Sequence, residues 1–378
     1  MTEAGEMEAP VLFEERAAGA GFRIGIATLN SPRTLNGFSL AMTRLLEGQL
    51  RRWLDDPTIA CVVLQGAGEK AFCAGGDLHG LYKGMLAQRA AAGEAVDVRS
   101  DAGVFFAEEY RLDHRIHTSA KPILCWGHGI VMGGGIGLMA GASHRVVTER
   151  SKVAFPEITV GLFPDVGGSW LMRQVPRGAG LFLALTGAPL AASDAIYAGL
   201  ADVCIDGSQR EAVIEALCEH AWTGDAKQDG ERLSAFLAEM AMPTEPGPLQ
   251  VHAELIEQIV AAPTLEGVVD GILGLDDQEK WLATAKATLQ AGSPGSARLA
   301  WELHRHPQTR ELADAFRTEF TVGLHVCSHG DFAEGIRALL IDKDRQPKWN
   351  PATLAEADEA WAARFFEPIP GPHPLADL

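Results

Sequence analysis

Positive charge is scarce in this sequence: 32 Lys and Arg stand against 50 Asp and Glu, a formal charge of −18 over 378 residues. That balance argues against a sequence-independent grip on nucleic acid or an anionic membrane surface. It leaves open an anionic small ligand, which a local basic patch or backbone amides can hold. No run of about 18 apolar residues occurs, so a membrane-spanning helix is excluded. Six scattered cysteines (Cys61, Cys73, Cys125, Cys204, Cys218 and Cys327) form no CxxC pair and suit reduced core residues. There is no HExxH and no Cys partner at ligand spacing, so no metal is expected. His114 with His117, and His304 with His306, suit polar helix faces. Also missing are the GxxxxGK[ST] loop and the Gly-X-Ser-X-Gly elbow, which leaves phosphate-loop and serine-esterase chemistry without support. The opening MTEAGEMEAP has neither an apolar signal core nor Arg-rich amphipathic character. A cytoplasmic protein with a flexible tail over residues 1–20 is the expectation.

What is present is a chain that is 47% hydrophobic, which excludes wholesale disorder and suits one large domain with an appendage, or two domains. Short apolar runs at 22–29, 60–65 and 123–127, bounded by Gly or polar residues, predict buried strands. Between the first two, Leu45, Leu46, Leu50, Trp53 and Leu54 recur at helical spacing, with Ser39 as a cap and Pro57 beyond the end. Such alternation predicts an α/β core over residues 21–206. From 207 to 378 the chain is mainly helical in character. Helices are predicted at 210–222, 232–241, 252–260, 278–290, 297–304, 309–327 and 351–366. A Pro-rich break falls at 242–248, a turn at Pro294-Gly295, and a loop at 341–351.

Glycines cluster at Gly75-Gly76, Gly133–Gly135 and Gly167-Gly168, beside the apolar runs. Each cluster is compatible with an ordinary tight turn, or with a close approach of backbone to a ligand. GIVMGGGIGL runs from a strand through three glycines into a helix start, where free N–H groups point outward. One N–H there and one from Gly75-Gly76 would make a two-donor oxyanion hole. A phosphate cradle is the competing reading, although the spacing does not fit a dinucleotide fingerprint. In FPEITVGLFPDVGG, Glu157 and Asp165 are either solvated loop carboxylates or a general base with an electrostatic partner.

These segments carry a resemblance. NSPRTLNGFS, AFCAGGDL, HGIVMGGGIGL, FPEITVGLFPDVGGSWLMR and LALTGAPL together resemble the crotonase (enoyl-CoA hydratase/isomerase) superfamily. FFAEEYRLDHRI and GDFAEGIRALLIDKDRQPKWNP are similar to its 3-hydroxyisobutyryl-CoA hydrolase branch. The resemblance implies a crotonase-like spiral of repeated ββα units with a helical C-terminal region. It implies an acyl-CoA thioester as partner, with coenzyme A belonging to the substrate and no separate cofactor. A homo-oligomer is a common family arrangement; no nucleic acid or membrane partner is implied. Carried over by position, Gly76 and Gly134 supply the N–H pair for the thioester oxygen, Glu157 is the catalytic glutamate, and Asp165 is the aspartate of the hydrolase branch. Glu109 matches a substrate-contacting position and Ala74 one whose carbonyl meets the adenine. Arg33 and Lys70 are candidates for the CoA phosphates, or else solvated surface charges.

One departure is informative. Hydratases carry a glutamate three residues after the middle Gly of the GGG turn, and here that residue is Gly137. Adding water across a double bond conventionally needs two acid/base groups, so the resemblance points to attack on the thioester carbon. The implied reaction converts a short β-hydroxyacyl-CoA, 3-hydroxyisobutyryl-CoA of valine catabolism, to the free acid and CoA. Glu157 would attack directly or deprotonate water, and Asp165 would position the water or the substrate hydroxyl. Two alternatives stand beside it: an enoyl-CoA hydratase or isomerase on the same fold, and an inactive acyl-CoA-binding protein. Retention of both carboxylates and both glycine turns speaks against the last.

Overall fold

The apolar runs become the strands of a large sheet. The structure, a computed structural model, describes residues 9–276 and 278–378. Strands β1 (Val11–Ala17), β2 (Arg23–Leu29), β3 (Ile59–Gly66), β5 (Ile123–Gly127), β7 (His144–Val147) and β9 (Val203–Cys204) line up in that order as a six-stranded sheet. Only the β1–β2 pair is antiparallel. Strands β4 (Ala71–Cys73), β6 (Ile130–Met132) and β8 (Lys152–Ala154) form a second, parallel sheet of three. The chain visits the two sheets alternately, β3 then β4, β5 then β6, β7 then β8. After each visit it enters helix: α2 (Leu78–Ala92) and α3 (Asp101–His117), then α4 (Gly134–Ala140), then α5 (Gly168–Gln174), α6 (Ala179–Thr186) and α7 (Ala192–Tyr197). This is the expected spiral of ββα units. Helix α1 (Leu40–Asp55) fills the corresponding place after β2.

The central strands are apolar on both faces because both faces are buried, as parallel sheets require. Ile24, Ile26, Val63, Leu124 and Trp126 point to one side. Ala27, Leu29, Val62, Leu64 and Cys125, offset by one residue, point to the other. In α1, Ser39 accepts the Met42 amide, and Leu46, Leu50 and Trp53 are buried. Leu45, included in the predicted stripe, is exposed.

The C-terminal part contains α8 (Arg210–Glu219), α9 (Ala226–Glu239), α10 (Pro248–Val251), α11 (Ala253–Val260), α12 (Leu265–Leu273), α13 (Lys280–Ala291), α14 (Pro294–Arg305), α15 (Leu312–His329), α16 (Phe332–Ile336) and α17 (Glu359–Ala363). It is no detached appendage. Val213 and Leu217 of α8, with Leu233 and Leu237 of α9, close one face of the large sheet. Helix α15 packs along α3 on the other side.

Three expectations change. Residues 11–17, placed in the flexible tail, are strand β1; its mixed VLFEERA sequence hides it because an edge strand leaves most side chains exposed. Residues 1–8 of that tail lie outside the described residues. Pro294 and Gly295 do not form a turn. Ser293 caps the Ser296 amide and Pro294 takes the first position of α14, where its missing N–H costs nothing. The helix expected over 351–366 shrinks to α17 and a single 3-10 turn, because Asp358 caps the Trp361 amide and starts the helix there. All six cysteines are free thiols. Among the described residues, no helix is long and apolar enough to cross a membrane.

Candidate active site

The small sheet builds the site. In the order β4-β6-β8, its three parallel strands end side by side at Cys73, Met132 and Ala154. The chain then runs from β4 into Gly75-Gly76, from β6 into Gly133-Gly134, and from β8 into Glu157. Three motifs tens of residues apart in sequence therefore meet at one sheet end, the usual place for a site in parallel α/β architecture. They line a cavity of 830 Å³ together with Glu109 and Asp165.

The backbone leaves donors facing it. Phe38 N–H bonds to the Gly75 carbonyl at 2.8 Å and Asp77 N–H to the Phe38 carbonyl at 2.9 Å. In this parallel bridge the Gly76 amide is the one turned away from Phe38. Gly134 opens α4, whose first amides have no carbonyl a turn earlier to bond. A Cβ on Gly134 would collide with Glu109 Oε1, and the same point lies 3.7 Å from the Gly76 nitrogen. Any side chain at 134 would therefore push the Glu109 carboxyl aside. The rim is fixed by Asn36, the Asn of TLNG, which holds a left-handed conformation at φ 55°. Its side chain accepts the Ser31 amide at 2.9 Å and donates to the Ala67 and Ala71 carbonyls at 3.0 and 2.9 Å.

The carboxylates are interior groups, not solvated ones. Glu157 begins a 3-10 turn (Glu157–Val160), is 5% exposed, and its Oε2 has no hydrogen-bond partner. Burial, and secondarily the charge of Asp165, hold its pKa well above the usual carboxylate range. Asp165, also 5% exposed, accepts the Tyr110 hydroxyl on Oδ2 at 2.7 Å. Burial pushes its pKa up to about 6, against the lowering effect of that hydrogen bond. Glu109, on α3, is 2% exposed with Oε1 unpartnered. Its pKa is raised by burial and then by Asp113 and Asp165.

The turn carrying Asp165 is held under strain. Val166, a buried β-branched residue, sits at φ 54°, where such side chains are seldom found. Glu319 of α15 fixes it by accepting the Gly167 and Ser169 amides at 2.7 and 2.8 Å, together with the Ser169 hydroxyl. Phe332, Leu339 and Leu340 add an apolar wall from the C-terminal region.

Of the residues singled out from sequence, Gly76, Gly134, Glu157, Asp165, Glu109, Ala74 and Arg33 line this one cavity. Lys70 does not. It is an exposed residue whose backbone carbonyl accepts the Ile130 amide at 3.0 Å. Gly137 is packed shut: a Cβ there would lie 2.5 Å from Asp113 Oδ2 and 2.8 Å from Val166 Cβ. Sequence reasoning missed Tyr110, Asp113 and Glu319, which approach the site's acids from helix faces; Tyr110 and Asp113 lie within FFAEEYRLDHRI, where only Glu109 was singled out, and Glu319 carries no local motif. The four-residue spacing of Glu109 and Asp113 on one helix was the available signal for that pair. No cluster of His, Cys, Asp and Glu among the described residues could hold a metal ion.

Comparison with known proteins adds relatives of both hydrolase and hydratase description. A family model described as enoyl-CoA hydratase/isomerase matches residues 24–366. The mitochondrial 3-hydroxyisobutyryl-CoA hydrolase of Danio rerio is 35% identical over 361 residues, covering 95% of this chain and 90% of its own. The Homo sapiens protein of the same description is 33% identical over 347 residues, covering 91% and 86%. Among solved structures, a carnitinyl-CoA dehydratase from Mycobacterium thermoresistibile superposes with a TM-score of 0.83 at 31% identity, over 98% of this chain and 99% of that one. An enoyl-CoA hydratase from Rhodobacter sphaeroides 2.4.1 gives 0.79 at 32%, over 95% and 97%.

Proposed function

The chain belongs to the enoyl-CoA hydratase/isomerase family, and from that premise we propose that it hydrolyses 3-hydroxyisobutyryl-CoA to 3-hydroxyisobutyrate and CoA. The curated relatives of this description support the substrate. The observation that carries the reaction type is position 137. A side chain there meets Asp113 and Val166 at once, so the glycine turn sends no second acid toward the substrate. Carboxylates at Glu157 and Asp165 serve attack on a carbonyl carbon.

In this reading the Gly76 and Gly134 amides hold the thioester oxygen and stabilise the charge that grows on it, usually a large contribution in acyl transfer. Glu157, in a site that raises its basicity, either deprotonates water or attacks the carbonyl carbon. Direct attack expels the CoA thiolate by C–S cleavage to give a mixed anhydride, which water then cleaves to the acid and free Glu157, its released proton going to the thiolate. In the water route the new C–O bond forms as Glu157 takes the proton. The C–S bond then breaks, and the CoA thiolate leaves and recovers that proton. Asp165, ionised above about pH 6 and oriented by Tyr110, positions the water or the substrate hydroxyl. Single-turnover hydrolysis in ¹⁸O-water separates the routes, since label enters Glu157 only through the anhydride. Arg33 at the cavity edge and the Ala74 carbonyl are suited to the nucleotide end of CoA.

The two solved structures described as hydratase and dehydratase favour a second reading, addition of water to an enoyl-CoA. Free-thiol release from 3-hydroxyisobutyryl-CoA and loss of the crotonyl-CoA double-bond absorbance, measured in parallel, decide between them. Thiol release that vanishes in Glu157→Gln supports hydrolysis. Hydration without thiol release overturns it.

A further inference from the structure

Asp113 has no part in the chemistry above, yet it packs against Gly137, just beyond the glycine turn of the site. It sits on α3 one turn beyond Glu109, is 0% exposed, and neither carboxyl oxygen has a hydrogen-bond partner. Its Oδ2 occupies the space that a side chain on residue 137 would need. It does not line the cavity, so it does not touch substrate.

The groups facing Asp113 are acids. Asp165 acts on it from the strained turn and Glu319 from α15. Asp113 in turn acts on Glu109 of its own helix and on the Cys73 thiol of β4. Tyr110, between Glu109 and Asp113 on the same helix, gives its hydroxyl to Asp165. No Lys or Arg is among these groups. Two carboxyls four residues apart on one helix face are neighbours. Burying both as anions without partners is prohibitive, and like charges so placed cannot both ionise near neutrality. Protonated, a carboxyl carries no charge and becomes a donor as well as an acceptor.

Location makes that proton matter. Glu109 Oε1 stands over Gly134, within collision distance of where a Cβ there would lie, a point itself 3.7 Å from the Gly76 nitrogen, and so borders the place that holds the thioester oxygen in the reading above. An anionic Glu109 would oppose the developing oxyanion, whereas a neutral one adds a third donor to it. Resting on that reading, we propose that Asp113 is a positioning residue: its buried carboxyl, one turn along the same helix face, keeps the proton on Glu109, so that Glu109 meets the substrate as a neutral hydrogen-bond donor. Burial and the neighbouring acids raise both groups well above the usual carboxylate range, in keeping with this.

The test is infrared titration of the substrate-free protein, with the protonated-carboxyl band of Glu109 assigned by its loss in Glu109→Gln. In Asp113→Asn, and independently in Asp113→Val, the Glu109 midpoint should fall by about one pH unit, the size of coupling expected between such groups. The alkaline limb of kcat should move down with it. In the Glu109→Gln background, Asp113→Asn should leave the pH profile unmoved. An unchanged midpoint in the Asp113 variants, or no neutral Glu109 band in the wild type, overturns the proposal. A failure of the thioesterase reading would show differently, as no thiol release from the wild-type protein whatever the infrared titration gives.

Discussion

Glu157 and Asp165 are two acids in one apolar pocket, and their environments push them apart. Asp165 ionises near pH 6, and its charge then keeps Glu157 protonated to higher pH. Activity that needs ionised Glu157 should therefore rise along an acid limb set partly by Asp165. Asp165→Asn removes the like charge, lowers the Glu157 pKa and should shift that limb to lower pH in kcat/KM against pH. An unmoved limb would separate the two groups. Glu157→Gln should lower kcat by roughly 10²–10⁴-fold, the usual worth of a positioned base. The two oxyanion glycines should differ. A methyl on Gly134 displaces Glu109, whereas one on Gly76 meets Phe105 at 3.5 Å, an ordinary contact. Gly134→Ala should lower kcat more than Gly76→Ala, through the displaced Glu109 and not through a lost N–H, as steady-state thiol release would read.

At the scale of elements, the site is three short strands and a clamp. Strands of three residues add little stability themselves, but pairing β4-β6-β8 fixes where their following turns emerge. The strained Val166 turn needs an external hold, and Glu319 supplies it with three accepted hydrogen bonds. Glu319→Ala would leave buried donors unpaired, at about 1–3 kcal/mol for each. The expected result is a lower denaturation midpoint, together with loss of activity beyond what unfolding explains. Far-UV circular dichroism and thiol release on the same samples check both. The helices were legible in sequence where a stripe and a cap coincide, as at Ser39 and α1. They were misjudged where a proline served as a first helical residue, as at Pro294, or where a cap set a late start, as at Asp358.

For the whole molecule, the C-terminal helices finish what the ββα core begins. They cover one sheet face through Val213, Leu217, Leu233 and Leu237, and they supply Glu319 and Leu340 to the site. A fragment ending at residue 206 would expose Ile24, Ile26 and Trp126. It should aggregate, where the full chain gives a discrete peak in size-exclusion chromatography. The buried acids also shape stability. Asp165 and Glu319 have folded pKa values of about 6 and about 8, above the ordinary values near 4 of the unfolded chain. The folded state therefore holds protons that the unfolded state has already released. The contribution of these groups is fully present below about pH 4 and declines as pH rises through 6 and 8. The melting temperature should fall from pH 5 to pH 8, and less steeply in Glu319→Gln.

The sequence alone determined the alternation of strands and helices, the crotonase resemblance and the set of glycines and carboxylates at stake. Those depend on local spacing and on residue types that few other chemistries use together. It could not say whether Glu157 and Asp165 were solvated or buried, or that Lys70 is exposed outside the cavity lining. Nor could it show that Tyr110, Asp113 and Glu319 converge on the same acids. Burial and charge coupling arise between segments distant in the chain, and only the meeting of the small sheet, α3 and α15 brings those groups within reach of one another.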